Sequence, residues 1–202
     1  MPDNFTFDAE THTFSVADRV YPSVTQVIAW SGLCDYSFLD EVRSKYYLDR
    51  GKSVHWMLQL EDEGVLNYRR VPAALRGYRK AYSTWKQRSG FVPEQIEWKF
   101  VSEHNFAGII DRCGSFPPTE MYPYGSAAVV DFKTGAAADW TRYQLAAYAL
   151  GFFKNIAVAK TVRRVALSLA ADGTYAVKEF EAASFVYDIS RFMEELRRMN
   201  GN

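Results

Sequence analysis

The chain has almost no cysteine: Cys34 and Cys113 are the two among 202 residues. Two thiols cannot supply a four-cysteine zinc or iron–sulfur site within one chain, so no iron–sulfur cluster is expected. They suit a reducing, cytoplasmic setting better than a disulfide-stapled one. No apolar run approaches the ~20 residues that a membrane span requires, so no membrane association is expected. The opening MPDNFTFDAE lacks a basic stretch followed by an apolar one, and no secretory signal is expected. Charge of one sign is also missing, since 24 basic and 24 acidic residues leave a net charge of 0. A protein that held nucleic acid by bulk charge alone would be more basic. There is no internal repeat, no low-complexity segment and no G-x-x-x-x-G-K-[ST] phosphate loop.

What is present is apolar and aromatic: 48% hydrophobic residues and 16% aromatic ones, enough for one sizeable α/β domain with a real core. The charges are unevenly placed. Between Gly64 and Pro93 stand Arg69, Arg70, Arg76, Arg79, Lys80, Lys86 and Arg88, with no acid among them.

FTFDAETHTFSVADRVYP alternates as a short hairpin does. Ser23 and Gln26 form a capping box ahead of the helix VTQVIAW, which Gly32 stops. A second helical region is expected from about Phe38 to Glu63, interrupted near Gly51, and a third from Pro72 to Gly90 with the stripe Leu75, Tyr78, Tyr82, Trp85. QIEWKFVS, FAGIIDRCG and AAVVDFKT then read as three strands. A helix from about Trp140 to Phe153 follows, then two strands turned at Asp172-Gly173, and a closing helix from about Ser184. Three consecutive strands suit an antiparallel meander, and the next helix suits a crossover to a parallel neighbour. The expected fold is therefore α/β, a mixed sheet flanked by helices. It is read as a single domain over 1–202, with a hairpin and helical wall in 1–93 and the sheet-containing core in 94–202.

In VVDFKTG, Asp131 and Lys133 lie two apart on a strand and share one face, with Phe132 on the other. Asp111 likewise ends the apolar strand FAGIID. Two neighbouring strands thus bring carboxylates to one sheet edge, where they repel unless a cation lies between them. Oxygen ligands without cysteine favour magnesium or manganese. An ammonium such as Lys133 beside the metal can steady the charge of a phosphate under attack. Gln144 and Tyr148, four apart in the following helix, can face the same place. Taken singly, each residue has an ordinary reading. Asp131 and Lys133 make a salt bridge at a strand end, Gln144 is a surface residue, Tyr148 and His55 are core, and Glu97 is a solvated strand residue.

GIID at 108–111, DFKTG at 131–135 and QLAAY at 144–148, in that order, resemble the GxxD, DxK and QxxxY motifs of the RecB-type branch of the PD-(D/E)XK nucleases. RGKSVH at 50–55 resembles the R-G-x-x-x-H signature of that branch, and the N-terminal FDAETHTFSVADRVYPSVTQVI is similar to the opening of its small phage-encoded exonucleases. The resemblance implies a restriction-endonuclease-like core. It implies Asp111 and Asp131 as metal ligands, with His55, Glu97 and the Phe132 backbone carbonyl as additional ones, Mg2+ as the cofactor and Mn2+ as a substitute. Lys133 then assists the attacking water, with Gln144 and Tyr148 at the site. The implied activity is a DNA exonuclease acting in recombination, repair or replication in a bacterial or phage-infected cell. Alternatives are a structure-specific endonuclease and a non-catalytic DNA-binding protein with a decayed site. With no helicase segment, unwinding is expected to come from a partner, or the substrate to be already single-stranded or to have a free end, and a single-strand-binding or recombination protein is a candidate partner. Arg69, Arg70, Arg76, Arg79 and Lys80 are candidates for phosphate contacts, and Tyr68 for stacking on bases.

Overall fold

The alternating N-terminal segment folds into β1 (Phe5–Asp8), β2 (Thr13–Val16) and β3 (Arg19–Tyr21), a three-stranded antiparallel sheet. It has one strand more than the expected hairpin, because Ala17 and Asp18 take left-handed conformations, φ 47° and 66°, and turn the chain back. The computed structural model describes residues 4–34 and 41–201. Helix α1 (Val24–Trp30) opens with the expected capping box: Gln26 N–H donates to Ser23 Oγ at 3.1 Å, and Ser23 N–H to Gln26 Oε1 at 2.8 Å.

Helix α2 (Glu41–Asp62) runs unbroken through Gly51, so the interruption expected there does not occur. A lone glycine costs a helix interior about 1 kcal/mol against alanine. Burial of Val54, Met57 and Leu58 on the same helix outweighs it, at roughly 1.5–3 kcal/mol for each such side chain. The expected start near Phe38 lies outside the described residues. Helix α3 (Ala73–Ser89) follows Pro72 and ends at Gly90, whose φ of 68° is the left-handed cap that glycine permits. Its stripe is seated as expected, with Tyr78, Tyr82 and Trp85 buried and Leu75 packed beside them.

The main sheet is mixed. Strands β4 (Val92–Val101), β5 (Ala107–Phe116), β6 (Ser126–Lys133), β7 (Arg163–Leu169) and β8 (Tyr175–Phe180) lie side by side in chain order. Helix α4 (Thr141–Phe153) crosses from β6 to β7, which pair in parallel; every other neighbouring pair is antiparallel. A short helix, α5 (Ile156–Ala159), and the closing α6 (Phe185–Met199) complete the chain.

Two hydrophobic cores flank the sheet. One gathers α1, α4 and α6, the other α2 and α3. Helix α4 is enclosed by sheet and helices, so apolar side chains are buried around most of its circumference. Gly151 allows that closeness, since a Cβ there would come 2.1 Å from the Phe100 ring. Among the described residues no helix is long and apolar enough to cross a membrane.

Candidate active site

Strands β5 and β6 pair from Phe116↔Ser126 to Arg112↔Val130, and there their ladder stops. The next residues are Asp111 and Asp131. Strand β6 remains paired with β7 as far as Lys133↔Ser168, so β5 and β6 part at the two aspartates. Asp111 Oδ2 accepts the Phe132 N–H at 2.6 Å, replacing the ladder carbonyl that is missing there. On the far side of β5, Glu97 of β4 sits between the pairs Ile96↔Arg112 and Trp98↔Ile110. Its φ is 47°, an uncommon conformation for glutamate and one that concentrates at functional sites.

His55 enters from α2. Its Nδ1 is 3.2 Å from Asp111 Oδ1, and its Nε2 is 3.2 Å from the Phe132 carbonyl oxygen. The ligating atoms of His55, Glu97 and Asp111 all lie within 4.8 Å of one another. Asp131 lines the same cavity, but its partner is Lys133: Oδ2 is 2.7 Å from Nζ, an ion-pair distance without hydrogen-bond alignment. Lys133 Nζ also donates to Gln144 Oε1 at 3.0 Å, and Gln144 Nε2 donates to the Tyr148 hydroxyl at 3.0 Å. That assignment of the Gln144 amide gives the ammonium an acceptor and the amide nitrogen another. The GxxD glycine has a packing role here, because a Cβ on Gly108 would come 3.0 Å from the Tyr148 ring.

The electrostatics follow from three carboxylates in one cleft. Burial opposes the His55 charge, but Asp111, Glu97 and Asp131 outweigh it and lift its pKa to about 9. Burial and the Asp111 charge push Glu97 up to about 7, against the pull of His55 and Arg112. Burial would raise Asp111, yet His55 and the Phe132 N–H hold it below the usual carboxylate range. Asp131 goes the other way, since burial and Asp111 outweigh Lys133. Burial and the acids keep Tyr148 a neutral phenol.

All these side chains line one cavity of about 520 Å³, together with Gly51, Lys52, Trp56 and Gln59 of α2 and His12 of the β1–β2 turn. The residues expected to bind DNA elsewhere do not line it. Tyr68, Arg69 and Arg70 form a 3-10 turn, and the Arg79 guanidinium lies over the Tyr68 ring at 4.7 Å. Arg79 Nη1 is 3.5 Å from Glu61, Arg76 Nε donates to the Val71 carbonyl at 3.2 Å, and the Lys80 stem lies against Gly173. The acid-free stretch is thus partly balanced by the acids just before it, Glu61 on Arg79 and Asp62 on Lys86.

Two arginines had no role assigned from sequence, although Arg50 opens the RGKSVH stretch. Arg50 Nη2 donates to the Thr134 carbonyl at 2.9 Å and ties α2 to the end of β6. Arg112 is fully buried behind Asp111, where Nε donates to Asp62 Oδ2 at 2.7 Å and Nη1 donates to Glu97 Oε1 at 3.1 Å and to the Asp111 carbonyl. An arginine inside the apolar run GIIDRC was a legible signal for a buried ion pair.

The chain matches no protein-family model and no curated protein. The donor set is what the site itself offers. Carboxylate oxygens, an imidazole and a carbonyl suit a hard divalent ion. Asp131 Oδ2, buried and without an aligned donor, is the kind of atom such an ion would satisfy.

Proposed function

We propose that this protein is a divalent-metal-dependent DNA exonuclease resembling the RecB-type PD-(D/E)XK enzymes. The observation that carries the reading is the parting of β5 and β6 at Asp111 and Asp131, which sets two carboxylates, Glu97, His55 and Lys133 around one cleft. Asp111, Asp131, Glu97, His55 and the Phe132 carbonyl are the residues that would hold Mg2+ or Mn2+. Such an ion, when bound, lowers the pKa of a water and offsets phosphate charge.

The protein's own groups do the rest. The Tyr148–Gln144 pair aims an amide oxygen at Lys133, which fixes the ammonium beside Asp131. From there the ammonium can neutralise charge that builds on a phosphate during attack. His55 and Asp111 hold each other in place across the gap between helix and sheet. Arg50 anchors the helix that brings His55.

The test is end-labelled linear DNA against covalently closed circles of the same sequence, single- and double-stranded, with magnesium, manganese or chelator. Rapid loss of linear DNA with metal, and little action on circles, is expected. Comparable rates on circles would overturn the exonuclease reading in favour of an endonuclease, and binding without cleavage would favour a decayed site.

A further inference from the structure

Helix α2 meets the cleft along two adjacent rows. Tyr47, Gly51, His55 and Gln59 form one; Leu48, Lys52 and Trp56 form the other, each residue four after the last. The first row delivers the imidazole to the carboxylates. The second leaves Trp56 65% and Leu48 63% exposed on either side of the exposed Lys52. Val54, Met57 and Leu58 of α2 are buried in the core, whereas Tyr46, Tyr47, Leu48 and Trp56 are exposed, and of these Tyr47, Leu48 and Trp56 line the acidic cleft. The same cavity is lined by another ring. His12, at φ 53° in the β1–β2 turn, is held edge-on by Phe7 and Phe14 at 5.4 and 5.5 Å.

We propose that the α2 side of this cleft is a subsite for single-stranded DNA, in which Trp56 stacks on the nucleobase beside the phosphate at the carboxylates and Lys52 takes the adjoining phosphate. The proposal rests on the nuclease reading of the same cleft and adds the substrate class. A base inside a duplex has both faces covered by its neighbours, so an indole can stack only on an unpaired base or a terminal one. The floor is acidic and repels a polyanion, and Lys52 one turn from Trp56 supplies charge of the complementary sign.

Binding is read in an Asp131→Asn background with calcium, by anisotropy of a labelled oligothymidylate and by its displacement with relaxed, covalently closed duplex circles, which offer neither an unpaired nor a terminal base. Trp56→Ala should weaken the single strand about 5- to 150-fold, the range that loss of one stacked base implies, with Trp56→Tyr close to the parent. Its salt slope should not change, whereas Lys52→Ala should lower that slope by about 0.7, one phosphate contact. Unchanged single-strand affinity in Trp56→Ala, an equal loss on the duplex, or no binding of the oligothymidylate by the parent would overturn the subsite. The two readings fail separately. Trp56-dependent binding by a protein that cuts no DNA with magnesium would remove the nuclease and keep the subsite; normal cutting with unchanged affinity in Trp56→Ala would do the reverse.

Discussion

Arg112 holds Glu97: its Nη1 donates to Glu97 Oε1 at 3.1 Å, while its Nε is committed to Asp62 2.7 Å away. One buried guanidinium therefore links a candidate metal ligand to the ion network beneath the sheet, where Tyr82 and Lys86 also converge on Asp62, each at 2.6 Å.

Breaking that network by removing one partner should be costly. Arg112→Met leaves Asp62 and Glu97 without their guanidinium and should destabilise the fold by about 3–5 kcal/mol in urea unfolding. Arg112→Met with Asp62→Asn, whose amide oxygen still accepts from the Tyr82 or Lys86 donor, should recover part of that loss but not manganese affinity, because Glu97 still lacks its holder. A double variant with normal manganese binding would show that Arg112 matters to stability alone.

Asp131→Asn should abolish cleavage and weaken manganese binding in calorimetry. The motive is the buried Oδ2, which has Lys133 at 2.7 Å and no aligned donor. Manganese affinity equal to that of the parent would remove Asp131 from the ligand set.

Lys133→Ala should act on chemistry. Losing one preorganised charge costs about 2–3 kcal/mol of transition-state stabilisation, and DNA should still bind with calcium in place of magnesium. Near-normal single-turnover rates would exclude the role.

In chelated protein, stability should fall as pH rises from neutrality. Folding raises the His55 pKa from 6.5 to about 9, so its contribution is complete below 6.5 and fades as the proton leaves near 9. His55→Gln should flatten the urea-midpoint profile over that interval. Parallel profiles for the two proteins would mean that the imidazole is not held as a cation.

Much of the fold was legible because its signals are local. The Ser23–Gln26 box, the Gly90 cap and the apolar run before Asp111 each act within a few residues, and each element formed where they pointed. Gly51 misled because helix propensity is weak beside the burial of Val54 and Leu58. Asp111, Asp131 and Lys133 were found because an ionisable residue ending an apolar strand is conspicuous. Trp56, Lys52 and His12 were not, since an exposed aromatic in a helix carries no mark of what it faces until the tertiary fold sets a cleft beside it. The charges of α3 looked unbalanced in sequence because Glu61 and Asp62 lie just outside the acid-free window.

Among the described residues one isolated bridge, Ser23↔Ala107, with Ala107 N–H donating to the Pro22 carbonyl at 2.9 Å, ties the chain just after the three-stranded sheet to the start of β5, and Lys99 of β4 reaches the Phe7 ring at 5.5 Å. The carboxylates stand at the ends of the paired stretches of β5 and β6, two inner strands of the five-stranded sheet. The His12 rim and the carboxylate floor of the cleft thus differ in how firmly they are built in. Native-state hydrogen exchange would register this as a hierarchy, with amides of β1–β3 exchanging through small openings and those of β6 only when the whole domain comes apart. A long strand or a product could then be admitted or released by yielding at the His12 rim, with the ligand geometry undisturbed.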